Sequence, residues 1–243
     1  MTRQLREMLV PEEGPAAVLA LKDGTVLWGR GFGGAGTRVG EVVFTTAMNG
    51  YTESLTDPSY RGQILVITHP LVGNYGVPPD FESRRIQVEG LVIAALTEPS
   101  HPRSERSLHE WLQGEGIPGI EGVDTRAIVK RIRGSGVMAG ALSVAEDPGD
   151  IDPEALLRAA REFDYESVDL VRPSLGPVTM GVGGHHVVVV DFGIKGGIVR
   201  ELVARDFKVT VVPWSWGLKE IMSLRPDGIV VGNGPGNPSA MED

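Results

Sequence analysis

Residues 16–69 alternate short β-branched apolar runs with Gly, Pro and Asn, the pattern of strands joined by turns. Residues 18–21 and 25–28 flank Lys22-Asp23-Gly24, a hairpin signal with Asp-Gly in the turn. Residues 41–46, 63–68 and 88–96 are further strand candidates. Residues 107–113 predict a short helix with Ser107 as N-cap and Glu110 at the capping-box position. A second helix is expected over 124–133: Asp124 caps it, Ala127, Ile128 and Ile132 form its apolar face, and Gly134 ends it. Strand character returns over 137–143, and Asp152-Pro153 opens a helix reaching Phe163. Strands and helices mix here without a βαβ rhythm, so residues 16–164 read as a β-rich α+β domain behind an N-terminal extension, 1–15.

Residues 165–185 lose all periodicity and collect Pro173, Pro177 and glycines, as a linker would. The pattern then changes. Residues 186–191 (HVVVVD) are a continuous apolar run, expected of a parallel strand buried on both faces. A helix over 195–205, a strand over 208–212, a helix over 218–224 and a strand over 228–231 complete βαβαβ, the opening of a doubly wound α/β sheet. Residues 186–243 fall short of the roughly 100–200 residues such a domain takes, so this sheet is expected to be incomplete.

The 243 residues carry 32 acidic against 23 basic side chains, a net charge of -9, which argues against nucleic acid and anionic membrane surfaces as partners. There is no cysteine, hence no disulfide, no Cys-based zinc site and no thiol nucleophile within the chain. The first residues hold Arg3, Arg6, Glu7, Glu12 and Glu13 rather than a signal peptide, and no apolar run approaches membrane length; a cytoplasmic protein is expected. The five histidines are scattered without ligand spacing, and no metal site is expected.

Gly232-Asn233-Gly234-Pro235-Gly236-Asn237-Pro238 follows the last predicted strand, at the end where open α/β sheets bind ligands. Its glycines let main-chain N–H groups converge on an anion or oxyanion; the alternative is a plain turn into a helix. Gly31 to Gly36 spells G-x-G-x-x-G, but the following residues read as strand, so a β-connection is expected rather than a dinucleotide fingerprint. Asp191-Phe192-Gly193 is read as a tight strand-to-helix turn, because the other kinase elements are missing. The basic clusters Arg84-Arg85 and Lys130-Arg131-Arg133 suit a solvated face or a subunit-docking surface alike.

Residues 41–76 closely resemble the N-terminal domain of carbamoyl-phosphate synthase small subunits, through Gly40-Glu41-Val42-Val43-Phe44, Gly50-Tyr51-Thr52-Glu53, Thr56-Asp57-Pro58-Ser59-Tyr60 and Gly73-Asn74-Tyr75-Gly76. Gly122-Val123-Asp124-Thr125-Arg126, Val190-Asp191-Phe192-Gly193-Ile194-Lys195, Pro226-Asp227-Gly228-Ile229 and Asn233-Gly234-Pro235-Gly236 continue the resemblance in family order; the last alone would suggest only a class I glutamine amidotransferase.

The resemblance implies a subunit that splits L-glutamine and passes ammonia to a large subunit. That subunit makes carbamoyl phosphate from bicarbonate and ATP, with Mg, for arginine and pyrimidine synthesis. No cofactor is implied in this chain. The family's Cys, His and Glu lie beyond the N-G-P-G loop, so the resemblance places them outside this sequence and implies that the chain alone is inactive. Gly234 and Gly236 match glutamine-binding glycines, with the Gly234 N–H in the oxyanion hole. Ala47 stands where some members have serine; a backbone N–H there does not depend on the side chain. Asn237 stands where the family usually has Asp. The alternatives are a non-catalytic docking module for a large synthetase subunit, or another class I amidotransferase.

Overall fold

A computed structural model describes residues 14–79, 81–102, 104–171 and 177–236. The N-terminal extension read over 1–15 falls almost wholly outside these residues, as do Pro173, Asn237 and Pro238.

The first part contains strands β1 (Ala16–Leu21), β2 (Val26–Gly33), β3 (Gly36–Thr45), β4 (Gln63–Ile67), β5 (Leu71–Val72), β6 (Gly90–Val92), β7 (Ala95–Leu96), β8 (Pro118–Glu121) and β9 (Ala139–Ala145). Helices α1 (Tyr51–Thr56), α2 (Leu108–Gly114), α3 (Thr125–Ser135) and α4 (Pro153–Glu162) accompany them. Seven strands close a barrel in the order β1-β2-β8-β6-β4-β3-β9. The pairs β3–β4, β4–β6 and β6–β8 are parallel, and the remainder are antiparallel. A separate parallel pair, β5–β7, lies outside it.

Burial explains why β1 shows no polar alternation. Ala17, Leu19 and Leu21 pack with Ile64, Val66, Ile120 and Leu142, while Ala16, Val18 and Ala20 lie under Leu156, Leu157 and Ala160 of α4. Both faces of that strand are covered, so both must be apolar. Around Trp111 and Leu112 of α2, a third cluster gathers Phe32, Leu65 and Leu91.

Local signals hold where side chains cap their own helices. Ser107 and Glu110 form the reciprocal capping box of α2. Asp124 accepts from Ala127 N–H, and Asp152 accepts from Glu154 N–H. Several expectations need correction. Helix α3 passes through Gly134 and stops at Gly136, whose φ of 78° is the conformation that releases the chain. The run 88–96 is two strands, β6 and β7, not one. Strand β8 had no sequence signal, since Pro118-Gly119-Ile120-Glu121 lacks both alternation and a β-branched run; its place between β2 and β6 makes it a strand.

The second part is a four-stranded sheet of β10 (Val178–Met180), β11 (His185–Asp191), β12 (Phe207–Pro213) and β13 (Gly228–Val231), in the order β10-β12-β11-β13. Strand β11 runs parallel to both β12 and β13. Strand β10 lies inside the stretch read as a featureless linker and pairs antiparallel with β12. Helix α5 (Gly196–Ala204) covers one face through Val199 against Val187, Val189 and Val209; α6 (Leu218–Ser223) covers the other through Ile221 against Val188, Val190 and Val212. The continuous valines of β11 are thus buried from both sides, as the apolar run requires. Strand β13 is the sheet's edge, and its Ile229 and Val231 are exposed. Among the described residues no helix is long and apolar enough to cross a membrane.

Candidate functional site

The chain leaves β11 through α5 to reach β12 on one side, and later returns through α6 to β13 on the other. The strand order therefore reverses between β11 and β13, the place where open α/β sheets form a ligand crevice beyond their carboxyl ends. Val190 pairs with Val231, so the two loops leave the sheet at one level, and Gly232 N–H extends the ladder to Val190 O at 2.9 Å.

Each loop is shaped by its own residues. Asp191 Oδ1 accepts from Gly193 N–H (2.8 Å) and Ile194 N–H (2.9 Å), an Asx-type turn that delivers the chain into α5. The expectation of a tight strand-to-helix turn holds at this point. The second loop approaches so closely that a Cβ on Gly234 would lie 2.5 Å from Phe192 O and 2.9 Å from Phe192 Cβ. Glycine is required there by contact with backbone, which cannot swing aside. Gly234 is exposed, Pro235 is buried, and among the described residues the Gly234 N–H has no acceptor within the chain. Gly236 adopts φ +81°; the Tyr165 hydroxyl, which donates to Arg61 O at 3.2 Å, is raised above its ordinary range first by burial.

The barrel meets these loops through the turn Asp57-Pro58-Ser59-Tyr60. Asp57 Oδ1 accepts from Ser59 N–H at 2.9 Å, and Asp57 Oδ2 receives Lys195 Nζ at 2.6 Å. Lys195 N–H in turn donates to Asn233 Oδ1 at 3.4 Å, and Asn233 Nδ2 donates to Ser59 Oγ at 2.9 Å. Asp57 is buried, and its bond to Lys195 holds the ammonium above the ordinary lysine range. The neighbouring Tyr60 hydroxyl is also raised, first by burial and then by Asp57.

A second cross-link lies at the start of α5, whose N-cap residue Lys195 makes no side-chain cap bond. Glu82 substitutes: its carbonyl accepts from Gly196 N–H (2.8 Å), its Oε2 from Gly197 N–H (2.6 Å), and its Oε1 pairs with Arg200 Nη2 at 3.3 Å. A carboxylate there meets both the unpaired N–H groups and the positive end of the helix.

Of the residues singled out from sequence, Gly234 and Gly236 share one loop. Ala47 is exposed beyond the end of β3, beside Thr45, Met48, His69 and Asn74. Its N–H donates to Thr45 Oγ1 at 3.2 Å. Asp57, Ser59, Lys195 and Asn233 stood inside quoted motifs, but nothing local disclosed that they bind one another. Glu82 carried no signal at all.

Residues 19–142, more than half of the chain, match the family described as carbamoyl-phosphate synthase small chain, CPSase domain. The chain belongs to the carbamoyl-phosphate synthase small-chain family. Residues 188–243 match glutamine amidotransferase class-I, which covers the parallel sheet and the glycine loop. The carbamoyl phosphate synthase small chain of Sulfolobus acidocaldarius is 51% identical over 233 residues, covering 92% of this chain and 62% of that protein. That of Sulfurisphaera tokodaii is 49% identical over 244 residues, covering 96% and 64%. That of Pyrococcus furiosus is 48% identical over 241 residues, covering 93% and 64%. The chain thus spans less than two thirds of the length of these small chains.

Proposed function

We propose that this chain supplies the barrel and the oxyanion side of a glutamine-hydrolysing site, in a small subunit that delivers ammonia to a large subunit. The large subunit would make carbamoyl phosphate from bicarbonate and ATP and would hold the Mg. The observation that carries this is the position of Gly234: exposed, free of a side chain by steric necessity, and at the mouth of the β11–β13 crevice. Its N–H is preorganised to receive the oxygen that turns anionic when the amide of glutamine is attacked. The attacking thiolate must come from residues outside this chain, which has no cysteine. Gly236 and Ala47 would line the pocket. Ala47 must release Thr45 before its N–H can serve glutamine.

The test is an amide NMR titration of the chain with L-glutamine, paired with an assay for released glutamate. The Gly234 resonance is expected to shift with no glutamate formed. A folded spectrum in which Gly234 stays still at saturating L-glutamine overturns the pocket, and measurable hydrolysis overturns the claim that the nucleophile lies elsewhere. The cysteine-free composition favours one other reading, a docking module without catalysis, and the same titration decides between them.

A further inference from the structure

Four residues from three separate segments close a ring. Asp57 Oδ1 takes the Ser59 N–H, Ser59 Oγ takes Asn233 Nδ2, Asn233 Oδ1 takes the Lys195 N–H, and Lys195 Nζ returns to Asp57 Oδ2. Two members lie in one barrel turn, one at the end of the β11 loop, and one in the glycine loop beside Gly234. We infer that Ser59 and Asp57 of the barrel are positioning residues for the Gly234 N–H, acting through Asn233 and Lys195. The inference rests on reading residues 232–236 as a wall of the glutamine pocket.

Three observations support it. Asn233 immediately precedes Gly234, so fixing both ends of its amide orients the following peptide plane, the one that carries the Gly234 N–H. The ring is anchored on a buried group: Asp57 is buried, while Ser59, Lys195 and Asn233 are partly buried, so water competes least for the bonds to Asp57. The barrel turn is itself braced. Pro58 lies 3.3 Å from where a Cβ on Gly193 would stand, and the Tyr60 and Arg61 N–H groups close the turn on Asp57 O (3.0 Å) and Pro58 O (3.2 Å). The loop would otherwise hang from an edge strand of four residues, β13, which is poorly suited to hold a donor still. A rigid barrel supplies what that edge lacks.

Ser59→Ala removes the acceptor for Asn233 Nδ2 and leaves the Asp57 side chain untouched; Ser59→Thr keeps the hydroxyl. Amide hydrogen exchange and the L-glutamine titration are measured on the parent chain and both variants. Loss of one such hydrogen bond is expected to speed exchange at Gly232 and Lys195, whose N–H groups are bonded to Val190 O and Asn233 Oδ1, on the order of five-fold or more and to weaken the Gly234 response to L-glutamine by a similar factor. Ser59→Thr should restore both, with β1 and β9 amides unchanged in every variant. Unchanged exchange at Gly232 and Lys195 in Ser59→Ala overturns the inference whether or not glutamine binds. A parent chain that ignores L-glutamine overturns the pocket reading instead, and the exchange rates still decide whether the ring holds the loop.

Discussion

Replacing Glu82 by alanine removes the cap of a helix 115 residues away in sequence, and the structure sets the size of the loss. The bond from Gly197 N–H to Oε2 is 2.6 Å long and made to an ionised, largely buried carboxylate, a class that contributes about 1.5–3 kcal/mol. The Arg200 guanidinium is 60% exposed, so solvent screening limits that ion pair to roughly 0–1 kcal/mol. The Gly196 bond is to the Glu82 carbonyl and survives the substitution. The net loss is about 2 kcal/mol. At roughly 2–4 °C per kcal/mol for a chain of this size, that lowers Tm by about 4–8 °C. Glu82→Gln keeps an acceptor without the charge and should lose about half as much. Glu201→Ala is the control: its partner Arg205 is an exposed i,i+4 neighbour, and the change should stay within about 0.5 kcal/mol. Melts followed by circular dichroism check this. If the barrel and the sheet melt separately, the shift must fall on the sheet's transition. A Glu82→Ala protein that melts within about 1 °C of the parent refutes the claim that Glu82 caps α5.

Gly234→Ala places a methyl group against Phe192 O; it should cost about 1–3 kcal/mol of stability in denaturant melts and abolish the L-glutamine shift at residue 234. At alkaline pH, Lys195 is raised in the folded state, mainly by its bond to Asp57, and Tyr51, Tyr60 and Tyr165 are raised mainly by burial. Raised groups hold their protons longer when folded, so their stabilisation is full below the unfolded values near pH 10 and is lost as pH climbs through the folded ones. Urea midpoints should fall from about pH 10 upward, and Asp57→Asn should shrink the Lys195 share of that fall. Val231 is 70% exposed on the unpaired edge of β13, so the parent chain should self-associate; Val231→Lys should shift light scattering toward monomer.

What the amino-acid order determined by itself is what neighbouring residues settle between themselves. Ser107 and Glu110 cap α2, Asp124 and Asp152 cap α3 and α4, Asp191 turns the chain into α5, and the valines of β11 announce burial on both faces. The motifs around residues 41–76, 190–195 and 233–236 were legible as a family resemblance, and the glycine loop as an anion-friendly turn. Tertiary structure alone decided the rest. The barrel closes because β1 pairs with β9, more than a hundred residues away, and because β8 fills the gap between β2 and β6 with a segment that has no strand pattern. Helix α5 borrows its cap from Glu82, and Gly234 takes its orientation from a ring that begins in the barrel at Asp57. Local propensity is summed over a few adjacent residues, whereas these bonds depend on which distant groups the fold brings within 3 Å, and that proximity has no trace in any single stretch of chain.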